Sequence, residues 1–220
     1  MKHFATYIVM LMATFALCLP LLASDNFDSI KAKAEQGDAK AQGNLGYCYA
    51  NGTGVAKDDV EAVKWYRKSA EQGVAPAQCI LGFCYSDGTG VAKDDVEAVK
   101  WYLLAAEKGH AIAQFYLGVC YNDGTGVAKD GVEAVKLYRK AADQGLVDAQ
   151  SNLGRCYENG IGVEKDDVEA YAFYNLAGIS YEKARGLRDE LEKKMSPSQV
   201  AEGQCRTKEL KARFVKPNAQ

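Results

Sequence analysis

Residues 37–72 read GDAKAQGNLGYCYANGTGVAKDDVEAVKWYRKSAEQ, and this pattern of 36 residues returns three more times without a gap. The copies occupy residues 73–108, 109–144 and 145–180, and sixteen columns are identical in all four blocks. A fixed period between about 20 and 50 residues is typical of a solenoid, in which stacked units bury a core that none could bury alone. The pattern therefore predicts a repeat architecture for residues 37–180.

Each block predicts two helices, and the first of them, helix A, covers about residues 38–50. Its apolar side chains recur at i, i+4, i+7 and i+8, which places them on one helical face; in the first block they are Ala41, Leu45, Cys48 and Tyr49. Two glycines follow, Gly52 and Gly54. Because glycine adopts positive φ without steric cost, they predict a tight exit from helix A.

The second helix of each block, helix B, is predicted to begin at Asp58. Asp58 at the N-cap and Glu61 three residues later form the pattern of a capping box, and both carboxylates complement the helix dipole. The pair recurs in the other blocks as Asp94 and Glu97, Asp130 and Glu133, and Asp166 and Glu169. Four repetitions indicate that these carboxylates are helix caps and not catalytic groups.

The string A-x-A-Q-x-x-L-G-x-C-Y-x-x-G-x-G-V-x-K-D-x-V-E-A-x-x-x-Y resembles the Sel-1-like repeat, a relative of the tetratricopeptide repeat. The resemblance covers residues 37–180, and residues 170–204 are similar to the C-terminal end of bacterial members. It implies an all-α fold, namely a right-handed α/α solenoid (superhelix) of four 36-residue repeats with a helical C-terminal cap.

The ends of the chain are assigned around these repeats. Residues 25–36 are expected to be an N-terminal half repeat, since Phe27–Gln36 matches the end of a preceding helix B. Residues 181–207 are expected to be the helical cap. In it, Leu187 and Leu191 of a first helix face inward, and a second helix is opened by Ser196 at the N-cap, Pro197 and Gln199. Residues 208–220 are basic and are predicted to be frayed.

Residues 1–24 have the pattern of a secretory signal peptide. Lys2 precedes an apolar run from Phe4 to Leu19, and the small residues Ala23 and Ser24 precede a polar stretch. The predicted location is therefore periplasmic or secreted in a bacterium, with no membrane insertion after cleavage. An uncleaved membrane anchor is the alternative, because the apolar run approaches the roughly 20 residues that span a bilayer.

The composition argues against two classes of function. The 27 Lys and Arg are balanced by 29 Asp and Glu, for a net charge of −2, so no basic footprint favours nucleic acid as a partner. Only two histidines are present, His3 and His110, and His3 lies in the predicted signal peptide. We therefore expect no metal site and no cofactor, and we interpret His110 as a solvated residue of the turn between repeats.

Four of the seven cysteines occupy one column of the repeat: Cys48, Cys84, Cys120 and Cys156. Equivalent positions in neighbouring repeats lie about 20 Å apart, well beyond the roughly 7 Å limit between the Cα atoms of a disulfide. We predict that these four are buried thiols that pack as small apolar groups. The redox states of Cys79 and Cys205 stay open.

The resemblance also raises a catalytic alternative, a β-lactamase-like hydrolase. The Helicobacter cysteine-rich proteins, a secreted subgroup of the family, pair two cysteines in each repeat and have been linked to β-lactamase activity. This chain lacks the second cysteine of each pair, so the resemblance to that subgroup is partial. Ser180 and Lys183 fit S-x-x-K, but no K-T-G or S-D-N element accompanies them. The favoured prediction is a protein without catalytic residues.

A candidate binding surface follows from the columns of helix A that differ between repeats, because those positions are not required by the shared core. Their offsets of 3, 4 and 7 place them on one helical stripe, and the resemblance implies that helix A lines the concave face of the solenoid. The stripe is apolar in the middle repeats and polar toward the ends, as recognition surfaces are. Its predicted partner-binding residues are Asn44, Tyr47, Ile80, Phe83, Ile112, Phe115, Tyr116, Val119, Asn152 and Arg155.

These features predict a non-catalytic adaptor of the bacterial envelope that holds a protein or peptide in its concave groove. The alternatives are the hydrolase and a purely structural spacer without a ligand. For Phe83, Phe115 and Tyr116, packing between neighbouring repeats competes with partner binding. If Phe115 and Tyr116 bind a partner, substitution of both to alanine should leave the melting transition nearly unchanged and abolish partner capture.

Overall fold

The computed structural model describes residues 26–214, which contain eleven helices and no strand. The signal peptide predicted for residues 1–24 lies outside this part of the chain. The fold divides into two compact units that meet in sequence at Lys108 and Gly109. An all-α repeat fold with a helical C-terminal cap is therefore confirmed, and each unit is built from the predicted helix pairs.

The first unit contains five helices, the first of which lies within residues 25–36. They are α1 Phe27–Glu35, α2 Ala39–Asn51, α3 Asp59–Glu71, α4 Ala75–Asp87 and α5 Asp95–Glu107. The second unit contains six helices, α6 Ala111–Asp123, α7 Gly131–Asp143, α8 Val147–Asn159, α9 Asp167–Ala177, α10 Glu182–Glu192 and α11 Pro197–Phe214. Helices α2, α4, α6 and α8 are helix A of the four repeats, and α3, α5, α7 and α9 are helix B.

Every helix A ends at a glycine in the left-handed conformation. Gly52 has φ 70° and ψ 33°, and its N–H donates to the carbonyl of Cys48. The next turn leads to Asp58, whose N–H donates to the carbonyl of Tyr49 at 2.9 Å. The loop is therefore tied to helix A at both ends.

Asp58 caps helix B as predicted, but the predicted capping box is only half formed. The Asp58 carboxylate accepts from the N–H of Glu61 at 2.9 Å. The reciprocal bond from the Asp58 N–H to the Glu61 side chain is missing, because that N–H donates to the carbonyl of Tyr49. Glu61 instead pairs with Lys64 at 2.7 Å on the exposed side of the helix.

Two of the columns shared by all repeats lie deep in the core. Leu45, Leu81, Leu117 and Leu153 are at most 1% exposed, and the helix B tyrosines Tyr66, Tyr102, Tyr138 and Tyr174 are at most 2% exposed. The shared glutamine is buried as well: Gln42 donates to the carbonyl of Ala34 at 3.2 Å, and Gln78 donates to that of Ala70 at 3.0 Å. Each of these bonds ties helix A to the end of the helix before it.

The C-terminal cap of the second unit packs on helix B of the fourth repeat. Ser196 and Gln199 form a complete capping box, with reciprocal bonds of 2.9 and 3.3 Å, as predicted. Gly203 lies against the ring of Tyr171 in α9. The tail predicted to fray from Lys208 is helical to Phe214 instead, because Leu210 is buried in the core of this unit.

Candidate functional site

The residues predicted to bind a partner lie on helix A of each repeat, but they differ in burial. Asn44, Ile80 and Phe83 of the first unit are only 8%, 8% and 5% exposed. Tyr47 on α2 is half-buried. In the first unit, therefore, most of the predicted stripe supports the helices from within and leaves Tyr47 as the accessible member.

The second unit keeps more of the predicted residues at the surface. Four of them lie on α6 and are half-buried: Ile112, Phe115, Tyr116 and Val119. On α8, Asn152 is half-buried and Arg155 is exposed. Apolar side chains thus lie on α6 and polar ones on the next helix A.

The aromatic pair on α6 divides between packing and exposure. The rings of Phe115 and Tyr116 meet edge to face, with centroids 5.2 Å apart. Phe115 also lies 5.9 Å from the ring of Tyr138, and together with Val119 it packs against the core of the second unit. The expectation that both rings can be truncated without loss of stability therefore has to be corrected for Phe115, because that ring contributes to the core.

His110 is the N-cap of α6 and is half-buried, so its interpretation as a solvated turn residue was incomplete. Its Nδ1 accepts from the N–H of Ala113 at 3.3 Å. Burial lowers the pKa of the imidazole, which favours the neutral form that this bond requires. The equivalent residue of the first repeat, Asp38, accepts from the N–H of Ala41 at 2.7 Å.

The two residues of the hydrolase alternative lie at the surface, at the end of the fourth repeat. Ser180 is exposed in the turn after α9, and Lys183 is exposed in the first turn of α10.

Between residues 26 and 214, no group of three or more His, Cys, Asp or Glu side chains is placed to hold a metal ion. The same residues contain no helix that is both long and apolar enough to span a bilayer.

The column cysteines Cys48, Cys84, Cys120 and Cys156 are buried and form no disulfide within residues 26–214, as is true of Cys79, whereas Cys205 on α11 is exposed. Burial is the largest cause that raises the pKa of the Cys84 thiol to about 12 and that of Cys156 to about 11. A high thiol pKa leaves little thiolate at neutral pH, and the thiolate is the reactive form. These cysteines therefore act as apolar side chains in the helix pairs.

Sequence reasoning missed one feature of the second unit, a small cavity beside α11 with three arginines in its lining: Arg139, Arg206 and Arg213. Arg139 lies on helix B, whereas the predicted binding residues all lie on helix A. The variation of its column, which reads Arg67, Leu103, Arg139 and Asn175, was the available signal. The contribution of α11 could not be read from the repeat, because α11 lies outside it.

Known proteins share both the repeat and the fold. The Sel1 repeat family matches residues 39–74, 75–110, 111–146 and 147–178. A solved Sel1 repeat protein from Oxalobacter formigenes is 35% identical, with a TM-score of 0.68 over 81% of this chain and 74% of that one. Each matched segment begins near the start of helix A, so the family repeat coincides with one helix pair.

Two matches from Escherichia coli, one to a solved structure and one to a sequence, are also similar to this chain. One is c5321, a protective antigen of uropathogenic strains with this repeat fold, which is 33% identical with a TM-score of 0.55. The match covers 88% of this chain and 51% of c5321. The other is the secretory immunoglobulin A-binding protein EsiB, 47% identical over 62 residues, or 28% of this chain and only 13% of EsiB. Because the family repeat covers more than half of its residues, this chain belongs to the Sel1 repeat family.

Proposed function

We propose that this protein is a non-catalytic scaffold that binds a protein or peptide through helix A of its repeats. The accessible part of the predicted stripe supplies the contacts, and its members are Tyr47, Ile112, Phe115, Tyr116, Val119, Asn152 and Arg155. Asn44, Ile80 and Phe83 hold the helices in place beneath it. The predicted signal peptide of residues 1–24 puts this scaffold in the bacterial envelope or outside the cell.

The observation that carries the proposal is the contrast between shared and variable positions on α6. The shared residues Leu117 and Gln114 are buried there, at 1% and 5% exposed. The variable columns of α6 leave two adjacent aromatic rings, Phe115 and Tyr116, partly open to solvent. Aromatic side chains that the shared core does not require are the residue type enriched at binding hot spots.

The family supports a protein as the ligand class. Sel1 repeats form scaffolds that generally mediate protein–protein interactions, and EsiB is by name a binder of secretory immunoglobulin A. Its match to this chain covers a small part of EsiB, so the support extends to the class of ligand and not to immunoglobulin.

Site-specific photo-crosslinking in the native cell tests the proposal. A photoreactive phenylalanine analogue at Tyr116 should give a discrete protein adduct on illumination. The same analogue at Val132, which is 53% exposed on helix B of the same repeat, is the matched control and should give none. A ladder of equal adducts at both positions, or no adduct at either, would support the structural spacer instead.

A further inference from the structure

A cavity of about 130 Å³ lies in the second unit, where α11 packs beside the third and fourth repeats. Its walls come from α7, α8, α9 and α11, so it forms only because α11 caps the repeats. A water occupies about 30 Å³, and the cavity is therefore large enough for a small polar group. The residues that line it are Arg139, Ala142, Asp143, Leu153, Tyr157, Glu169, Phe173, Arg206, Leu210 and Arg213.

Two of the three arginines hold α11 in place. The Nε of Arg206 donates to Glu169 at 2.6 Å, and its Nη1 donates to Glu209 at 2.8 Å. The Nη2 of Arg213 donates to Asp143 at 2.9 Å. The bonds to Glu169 and Asp143 join α11 to helix B of the fourth and third repeats and fix one wall of the cavity.

The third arginine, Arg139 on α7, is differently placed. Its Nη2 donates to the hydroxyl of Tyr157, and among residues 26–214 it forms no ion pair with a carboxylate. The Tyr157 ring is stacked on Phe173, with centroids 5.8 Å apart and an interplanar angle of 10°. Arg139 is exposed, and it therefore presents a charged donor at a position fixed by two stacked rings.

The charges of the lining favour an anion with a single charge. Glu169 and Glu209 neutralise Arg206, and Asp143 neutralises Arg213, so Arg139 is the guanidinium of the lining that pairs with no carboxylate among residues 26–214. A phosphate dianion would also face Asp143 and Glu169 in the lining, whereas one carboxylate group matches the single charge of Arg139. The planar fork of donors in arginine also fits a carboxylate with two parallel hydrogen bonds.

From this arrangement we infer that the cavity binds a carboxylate of a peptide ligand, with Arg139 as the principal contact. The carboxylate can come from an Asp or Glu side chain or from a free chain terminus, because the chemistry is the same. This site is lined by α7, α8, α9 and α11, and none of its lining residues belongs to the predicted stripe on helix A. The two proposals can therefore fail independently.

The repeat offers a matched control for this inference. Arg67 on α3 occupies the same column as Arg139, and its Nη2 donates to the hydroxyl of Tyr85, the equivalent of Tyr157. Neither Arg67 nor Tyr85 belongs to the cavity lining. If carboxylates bound to an arginine through its charge alone, substitution of Arg67 and substitution of Arg139 would have the same effect on binding.

The test uses titrations followed by the side-chain Nε–H signals of arginine in NMR. The probes are three short peptides: acetyl-triglycine with a free C-terminus, amidated acetyl-Gly-Glu-Gly, and amidated acetyl-Gly-Gln-Gly. We expect saturable shifts with one or both carboxylate peptides and none with the glutamine peptide, and the peptide that binds identifies the source of the carboxylate. Arg139→Gln should weaken binding by about tenfold, as expected for a charge-assisted hydrogen bond, and Arg67→Gln should leave it unchanged.

Three results would overturn the inference: equal shifts with the glutamine peptide, the absence of saturable binding by either carboxylate peptide, or an equal loss in Arg67→Gln. Tighter binding of inorganic phosphate than of both carboxylate peptides would also overturn it, since the site would then select a dianion. Arg139→Lys keeps the charge without the fork and should bind with an intermediate affinity. Matching melting curves for the variants and the wild type exclude a general loss of structure.

Discussion

Gly46 in helix A lies directly against the ring of Tyr66 in helix B of the same repeat. A β-carbon at Gly46 would lie 2.8 Å from Cδ1 of that ring, closer than non-bonded carbons come. The other repeats have the same relationship, at 2.8, 2.8 and 2.6 Å for Gly82 with Tyr102, Gly118 with Tyr138 and Gly154 with Tyr174. The two helices of each repeat therefore pack closely at this glycine, although glycine is unfavourable within a helix.

We predict that Gly46→Ala destabilises the protein by about 1–3 kcal/mol, because the added methyl group displaces a fully buried ring. The higher helix propensity of alanine offsets at most about 1 kcal/mol of that loss. Urea unfolding monitored by circular dichroism measures the change.

Gly186→Ala is the control for this prediction. Gly186 lies within α10, and a β-carbon there would meet no atom within 4 Å. This variant should be stabilised by about 0.4–1 kcal/mol. Stabilisation by both substitutions would contradict the close approach of Gly46 and Tyr66.

The shared columns allowed most of the fold to be predicted, because each residue in them meets the same local requirement four times. The Asp58 cap and the Gly52 exit are such requirements, and both were predicted. The role of Gly46 was not predicted, since a glycine within a helix has no local reason and its partner Tyr66 lies twenty residues away. Helix propensity likewise gave no sign that α11 extends to Phe214, which depends on the burial of Leu210.

The candidate site could be predicted only in part. The differences between repeats correctly excluded the residues of the shared core from the site. They could not show whether a variable side chain is buried between helices or faces solvent. Phe83 and Phe115 illustrate the difference. Phe83 is 5% exposed, whereas Phe115 has one side on the core and the other on Tyr116. Burial of this kind depends on the tertiary packing of neighbouring helices.

The repeated aspartates should contribute to stability without affecting binding. The Asp94 carboxylate accepts from the N–H of Glu97 at 3.0 Å at the start of α5. Asp94→Ala leaves that N–H without its partner and should cost about 0.5–2 kcal/mol. Asp94→Asn retains the acceptor and should recover most of the loss in thermal unfolding. If Asp94→Ala kept full stability and lost partner binding, the carboxylate would be functional and not structural.

His110 should make the protein sensitive to mild acid. Burial lowers its pKa in the folded state, so below about pH 6.5 the unfolded chain binds the proton more readily. Its contribution to stability is therefore complete above pH 6.5 and is lost as the pH falls below that value. His110→Asn keeps an N-cap acceptor but cannot titrate. Urea midpoints at pH 7.5 and pH 5 should differ less for this variant, and an equal difference would assign the acid sensitivity to other groups.

The column cysteines should be unreactive until the protein unfolds. In the native protein, an aromatic disulfide reagent should react rapidly with Cys205, which is exposed, and slowly with the buried thiols Cys48, Cys79, Cys84, Cys120 and Cys156. In denaturant without reductant, all of these thiols should react. Oxidation of any of the four column cysteines in the purified protein would contradict their assignment as buried apolar groups.

The most direct test of the scaffold is the substitution Tyr116→Ala, assayed for stability and for affinity toward the partner identified by crosslinking at that position. Tyr116 is chosen without Phe115, because Phe115 packs on Tyr138. We predict a melting temperature within about 4 °C of the wild type and an affinity about thirtyfold lower, since truncated aromatic anchors often cost about 2 kcal/mol. A steep fall in melting temperature, or full affinity in a stable variant, would show that Tyr116 packs the repeats and does not bind the partner.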